Sequence, residues 1–92
     1  MKTQFERRAI KLNMYDPATF VIRIQGEIGQ HWQDYFGAQA VCMEMDRAGY
    51  PVTVLTTEPV DQAGLVGIIN QVNMLGLPLV SVAWLSTESS RI

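Results

Sequence analysis

Residues 59–85 read Pro59-Val60-Asp61-Gln62-Ala63-Gly64-Leu65-Val66-Gly67-Ile68-Ile69-Asn70-Gln71-Val72-Asn73-Met74-Leu75-Gly76-Leu77-Pro78-Leu79-Val80-Ser81-Val82-Ala83-Trp84-Leu85. Leu65, Ile68, Ile69, Val72 and Leu75 recur at the three- and four-residue spacing that lines one side of an α-helix. Pro59 and Asp61 mark its start, Gly76 and Pro78 its stop, and Leu77 is the apolar clasp expected just past a terminating glycine. Pro78 forces the chain to extend, so Leu79–Leu85 is predicted as a short apolar strand, central in its sheet.

Working back from this helix, Phe20-Val21-Ile22-Arg23-Ile24-Gln25 alternates apolar and mixed positions and is stopped by Gly26, which predicts a strand with one buried face. Between Gly29 and Gly37, Trp32, Tyr35 and Phe36 stand at i, i+3 and i+4, the stripe of a helix of about two turns. Ala40–Met45 alternates again, and Asp46-Arg47-Ala48-Gly49-Tyr50-Pro51 reverses the chain into Val52–Thr57, an antiparallel pair. The resulting order, strand, short helix, strand, strand, long helix, strand, is that of an α+β ferredoxin-like βαββαβ sandwich with a short first helix. Residues 27–38 barely meet the roughly dozen residues that a crossover between parallel strands needs. A three-stranded meander followed by the long helix and a fourth strand satisfies the same order.

The single α+β domain spans 19–86. Residues 1–18 form an N-terminal arm that carries Lys2, Arg7, Arg8 and Lys11 and ends at the turn-forming Asp16-Pro17. An edge strand at 9–15 is the expectation there, and residues 87–92 form a frayed polar tail.

The chain has 92 residues, 48% of them hydrophobic and 17% charged. One folded domain follows, since the composition is too apolar for disorder and the length too short for two cores. A net charge of -2 argues against a nucleic-acid partner and against anchoring on an anionic membrane. No window approaches the roughly 18 uninterrupted apolar residues of a membrane span, and a cytoplasmic protein is expected. With one cysteine and one histidine, neither a disulfide framework nor a multi-ligand zinc site can be built, and no metal or cofactor is implied.

Helices on one sheet face leave the other open. That face is expected to hold Val21, Arg23 and Gln25, with Cys42, Thr53, Leu55 and either Val80, Val82 and Trp84 or Ser81 and Ala83. So mixed a surface is expected to be buried against a second copy, which predicts a homodimer.

Chemistry has few places to reside. His31, near Glu27, Asp34 and Tyr35, is a weak candidate for a general base oriented by a carboxylate, although a solvated helix position explains it more simply. Cys42 paired with His31 would make a nucleophile and base, whereas a lone strand cysteine is more often a small buried hydrophobe. Gly26 and Gly29 bracket a turn whose N–H groups precede a helix and suit an anion, without the full glycine-rich fingerprint or its lysine. Trp32, Tyr35, Tyr50 and Trp84 are candidates for a small-molecule pocket, weighed against core or dimer interface. Gly64 and Gly67 each cost the long helix about 1 kcal/mol against alanine, which predicts a close approach of the sheet or of another helix.

The segments Gly26–Gly37 (GEIGQHWQDYFG), Val52–Thr56 (VTVLT), Pro59–Ala63 (PVDQA) and Leu75–Val82 (LGLPLVSV) carry a resemblance over residues 20–85. The chain resembles a group of short bacterial proteins that combine a VTVLTGPV-like strand and turn, a DQAALHGLL-like helix and an LGLPLLSV-like last strand. The resemblance implies a stand-alone small bacterial α/β protein and transfers no activity or catalytic residue. The chain departs from that pattern in its longer N-terminal arm and at Gly64 and Gly67, where the group has larger residues.

The leading expectation is a non-enzymatic homodimer acting in assembly, regulation or binding of another protein. Two rivals are a small-ligand sensor, with ligand near Gly26–Gly29 and the dimer interface, and a cofactor-free enzyme like a dimeric α/β barrel. The enzyme requires His31 to point into an enclosed cavity lined by Trp32, Tyr35 and Trp84.

Overall fold

Alternating apolar residues need a surface to lie against, and here they find it in one four-stranded sheet with two helices on one side. The computed structural model describes residues 12–29 and 32–85. Its elements are β1 (Thr19–Gln25), α1 (Trp32–Phe36), β2 (Ala38–Met45), β3 (Pro51–Thr57), α2 (Gln62–Met74) and β4 (Leu79–Leu85). The strand order is β2-β3-β1-β4, and every neighbouring pair is antiparallel. The protein is therefore α+β, as expected. Because β3 lies between β1 and β2, the alternative three-stranded meander does not form.

Register fixes which side chains share a face, since residues directly opposite each other point the same way. Ile22 lies opposite Leu55 on one side and Val82 on the other, and Val41 is also opposite Leu55. These residues, with Phe20, Ile24, Thr53 and Trp84, face the helices. Ile22, Ile24 and Leu55 are fully buried, in a core shared with Ile28, Phe36, Val41, Ile68 and Val72. The expectation that Thr53 and Leu55 lie on the far face is thus corrected, and the last strand contributes Ser81 and Ala83 to that face. Nor is β4 central. Among the described strands it is an edge strand, because a largely apolar run signals contact on many sides without saying which elements supply it.

Two buried threonines hold the exits of β1. The Thr53 hydroxyl donates to the Gly26 carbonyl at 2.7 Å and accepts from the Ile28 N–H at 3.3 Å. The Thr57 hydroxyl accepts from the Phe20 N–H at 3.0 Å. Gly26 has φ +108°, a conformation open to glycine and strained for side chains, and this lets the chain turn back over β3 toward the helices.

The long helix ends as the sequence predicts. The Asp61 carboxylate accepts from the Gly64 N–H at 2.9 Å, which caps the N-terminus. At the other end Gly76 has φ +73° and the Leu77 N–H donates to the Val72 carbonyl at 3.2 Å, the geometry of a glycine-terminated helix. Leu77 packs against the core. Within the predicted Gly29–Gly37 span the described helix is Trp32–Phe36, and residues 30 and 31 lie outside the described residues.

No strand forms over residues 12–15, where a turn closes with the Asp16 N–H on the Asn13 carbonyl. The remainder of the predicted strand, 9–11, lies outside the described residues. The turn is tied to the domain, because the Gln62 N–H donates to the Met14 carbonyl and Ala18 bridges Val60.

Two substitutions test this account by urea denaturation. Ile68→Ala, which empties a core position under α2, should cost about 2 to 5 kcal/mol. Thr53→Val keeps the shape but strands the Ile28 N–H and the Gly26 carbonyl, and should cost about 1 to 3 kcal/mol. An unchanged midpoint for either would show that the position is not the buried one described.

Candidate functional site

The far face of the sheet is more polar than expected. Arg23 on β1 and Glu44 on β2 reach across β3 and form a two-pronged ion pair, Nε to Oε1 at 3.3 Å and Nη2 to Oε2 at 3.2 Å. Val54 lies opposite Arg23 and Val52 opposite Glu44, so the pair arches over two valines that are buried. The hydrogen bonds that Arg23 donates to the Glu44 carboxylate, and then the carboxylate's charge, hold the guanidinium above its ordinary pKa. Such a face has its apolar centre already covered.

The predicted chemical residues do not converge. His31 lies outside the described residues, so neither its pairing with Asp34 nor that with Cys42 is drawn. Cys42 is exposed on β2, not buried as a packing cysteine, because β2 is an edge strand and Cys42 points to the open face. In the Gly26–Gly29 turn, the Gly26 N–H donates to the Pro51 carbonyl and the Ile28 N–H to Thr53. Two of the amides that would serve an anion are committed to the fold.

The aromatic residues separate as well. Trp32, Tyr35 and Phe36 pack on one another, with Trp32 edge-on to Tyr35 at 4.8 Å between ring centres. Phe36 is buried and Trp32 packs against the core. Trp84 lies opposite Phe20 on β4, at the other edge of the sheet, and Tyr50 is exposed in the β2–β3 turn. The four do not line one pocket. Among the described residues no group of three or more His, Cys, Asp or Glu side chains is placed to hold a metal ion. No described helix is long and apolar enough to cross a membrane.

The conspicuous surface lies along α2 and β4. Every residue from Gln62 to Leu85 is uncharged, although this run supplies an exposed helix side and an entire edge strand. Leu79, Val80, Val82, Trp84 and Leu85 are each 37–54% exposed. On α2, Val66 and Met74 are exposed too. Two open hollows flank α2, one toward the 12–16 turn and Phe20 of β1, the other toward Leu79 of β4. One of about 330 Å³ is lined by Met14, Phe20, Leu65 and Val66, and one of about 390 Å³ by Ile69, Asn73, Leu77 and Leu79. The helices thus stop short of β4, leaving Val82 and Trp84 uncovered on the side that buries Ile22. Sequence reasoning passed over this surface, and the absence of charge across 62–85 was the signal that marked it.

An α+β sandwich of two helices on one side of an antiparallel sheet, with one apolar edge unpaired among the described residues, is the class of molecule that these observations define. The chain belongs to the family described as "Domain of unknown function (DUF8691)", whose model matches residues 19–83. No curated protein and no solved structure matches it.

The glycines of α2 differ in their reasons. A Cβ on Gly64 would stand 3.0 Å from the Val60 Cβ, so the preceding loop, not the sheet, requires the close approach there. A Cβ on Gly67 would meet nothing within 4 Å. Gly67→Ala should therefore raise unfolding free energy by about 0.5 to 1 kcal/mol. Gly64→Ala should gain less or lose stability, because Val60 has to give way. Thermal melts of the two variants check the difference, and equal gains would contradict the packing at Val60.

Proposed function

We propose that this protein works by self-association, as a cytoplasmic homodimer that acts in assembly or regulation by binding another protein and carries out no reaction of its own. The observation that carries this reading is the uncharged run 62–85, which leaves Leu79, Val80, Val82, Trp84 and Leu85 exposed along one edge strand. Apolar residues scattered over a surface are ordinary, whereas a contiguous strip without a single charge is a liability unless something covers it. Edge strands are commonly guarded by lysine, proline or inward charges, and β4 has none of these. The dispersal of Cys42, Trp32, Tyr35 and Trp84 gives a chemical site no comparable support.

The finer fold assignment is consistent with this role. The βαββαβ connectivity, with β3 between β1 and β2 and β4 beside β1, supports reading the fold as a ferredoxin-like sandwich. That architecture hosts many functions, so it adds nothing to the choice among them.

Light scattering on the purified protein over a wide concentration range tests the proposal. The mass should rise toward twice the 10.3 kDa of the chain as concentration increases. A mass that stays at one chain up to the solubility limit would overturn it.

A further inference from the structure

We infer that the free edge of β4 is the self-association surface, and that two copies pair β4 with β4 in antiparallel fashion about a twofold axis near Ala83, giving one eight-stranded sheet. The inference rests on the self-association reading above and names its surface and geometry. A twofold axis perpendicular to a sheet makes identical edge strands antiparallel, which continues the pattern of a sheet already antiparallel throughout. The register of β4 shifts where Arg23 and Ile24 face Ser81 and Leu79, so Val80 forms a bulge and Ser81–Leu85 is the regular stretch. Ala83 is its midpoint.

Charge selects a second copy as the occupant. A twofold axis sets each residue near its own counterpart, so any charge on the strip would face a like charge. None exists from Gln62 to Leu85. The two rival surfaces fare worse. Stacking the far faces would bury the Arg23–Glu44 pair and the exposed Gln25, at a desolvation cost. Pairing through β2, the opposite edge, would place Glu44 near its own copy.

Area sets the strength. Five to seven strand residues span roughly 17 to 24 Å, and a sheet and a helix layer together are about 20 Å deep. Each copy then presents roughly 350 to 500 Å², or about 700 to 1,000 Å² for the pair, at or just below the lower bound for a specific interface. The strand alone would supply about half of this, so the α2 flank at Val66 and Ile69 has to join, closing over Val82 and Trp84. The result is a weak, concentration-dependent dimer.

Amide hydrogen exchange on the intact protein at low and high concentration reads the geometry directly. The outward N–H groups of Ser81–Leu85 should slow about fivefold once the chain concentration exceeds the dissociation constant about tenfold, while the outer edge of β2 is unchanged. Ala83→Lys, which sets two like charges face to face at the axis, should remain monomeric with an unaltered circular dichroism spectrum, whereas Cys42→Lys should still dimerise. If the protein dimerises but Cys42→Lys abolishes it, or β4 amides stay fast in the dimer, the edge is the wrong surface and self-association stands. A protein that stays monomeric with fast β4 exchange overturns both. Slow β4 exchange in a monomer would show the edge covered by its own chain, and capture of an unrelated extended peptide by a monomer would name a different occupant; either overturns the inference.

Discussion

The contact between Ile22 and Leu55 in the middle of the sheet is the constraint from which the rest follows. Both residues are fully buried, and burying such a pair requires β1 and β3 to be the inner strands and the helices to lie above them. Thr53 and Thr57 hold β3 against the ends of β1 through their hydroxyls, so the inner pair is locked by hydrogen bonds as well as by packing. Helices of five and thirteen residues cannot shield a four-stranded sheet completely. Covering Ile22, Leu55 and Val41 leaves Val82 and Trp84 beyond the reach of α2.

Much of this was legible in the residues themselves. The alternation of Phe20, Ile22 and Ile24, the Asp61 cap, and the Gly76 and Leu77 stop each report a local physical requirement, and each holds at the predicted place. What failed was what sequence encodes only through neighbours. The face that Thr53 and Leu55 take is not legible locally, because Val52–Thr57, a six-residue run of β-branched and apolar residues, has no alternation to choose between faces. The position of β4 failed for a related reason, since Leu79–Leu85 is apolar at an edge just as it would be at the centre. Cys42 was expected to pack, yet nothing local tells a cysteine of an inner strand from one on an outer strand.

The candidate site shows the same division. Trp32, Tyr35 and Trp84 look alike as aromatic residues, but the strand order sends Trp84 to the opposite edge from the others. The Gly26–Gly29 turn has the composition of an anion cradle, while its Gly26 and Ile28 amides serve the fold. The interaction surface was present all along in the distribution of charge. All sixteen acidic and basic residues lie outside 62–85, so α2 and β4 carry none of the charge that keeps small proteins apart. The Arg23–Glu44 pair, arched over Val52 and Val54, completes that asymmetry by sealing the far face.

The edge-paired dimer is tested most directly by a distance. Cys42 is the sole cysteine and is exposed on β2, at the edge opposite β4, so a spin label can be attached to the natural sequence. In a sheet running from β2 through β4 to the partner's β4 and β2, seven strand spacings separate the two labels, roughly 34 Å. Pulsed dipolar spectroscopy at dimer-forming concentration should return a distance near that value. A distance below about 20 Å, as stacked sheets or pairing through β2 would give, would contradict the account.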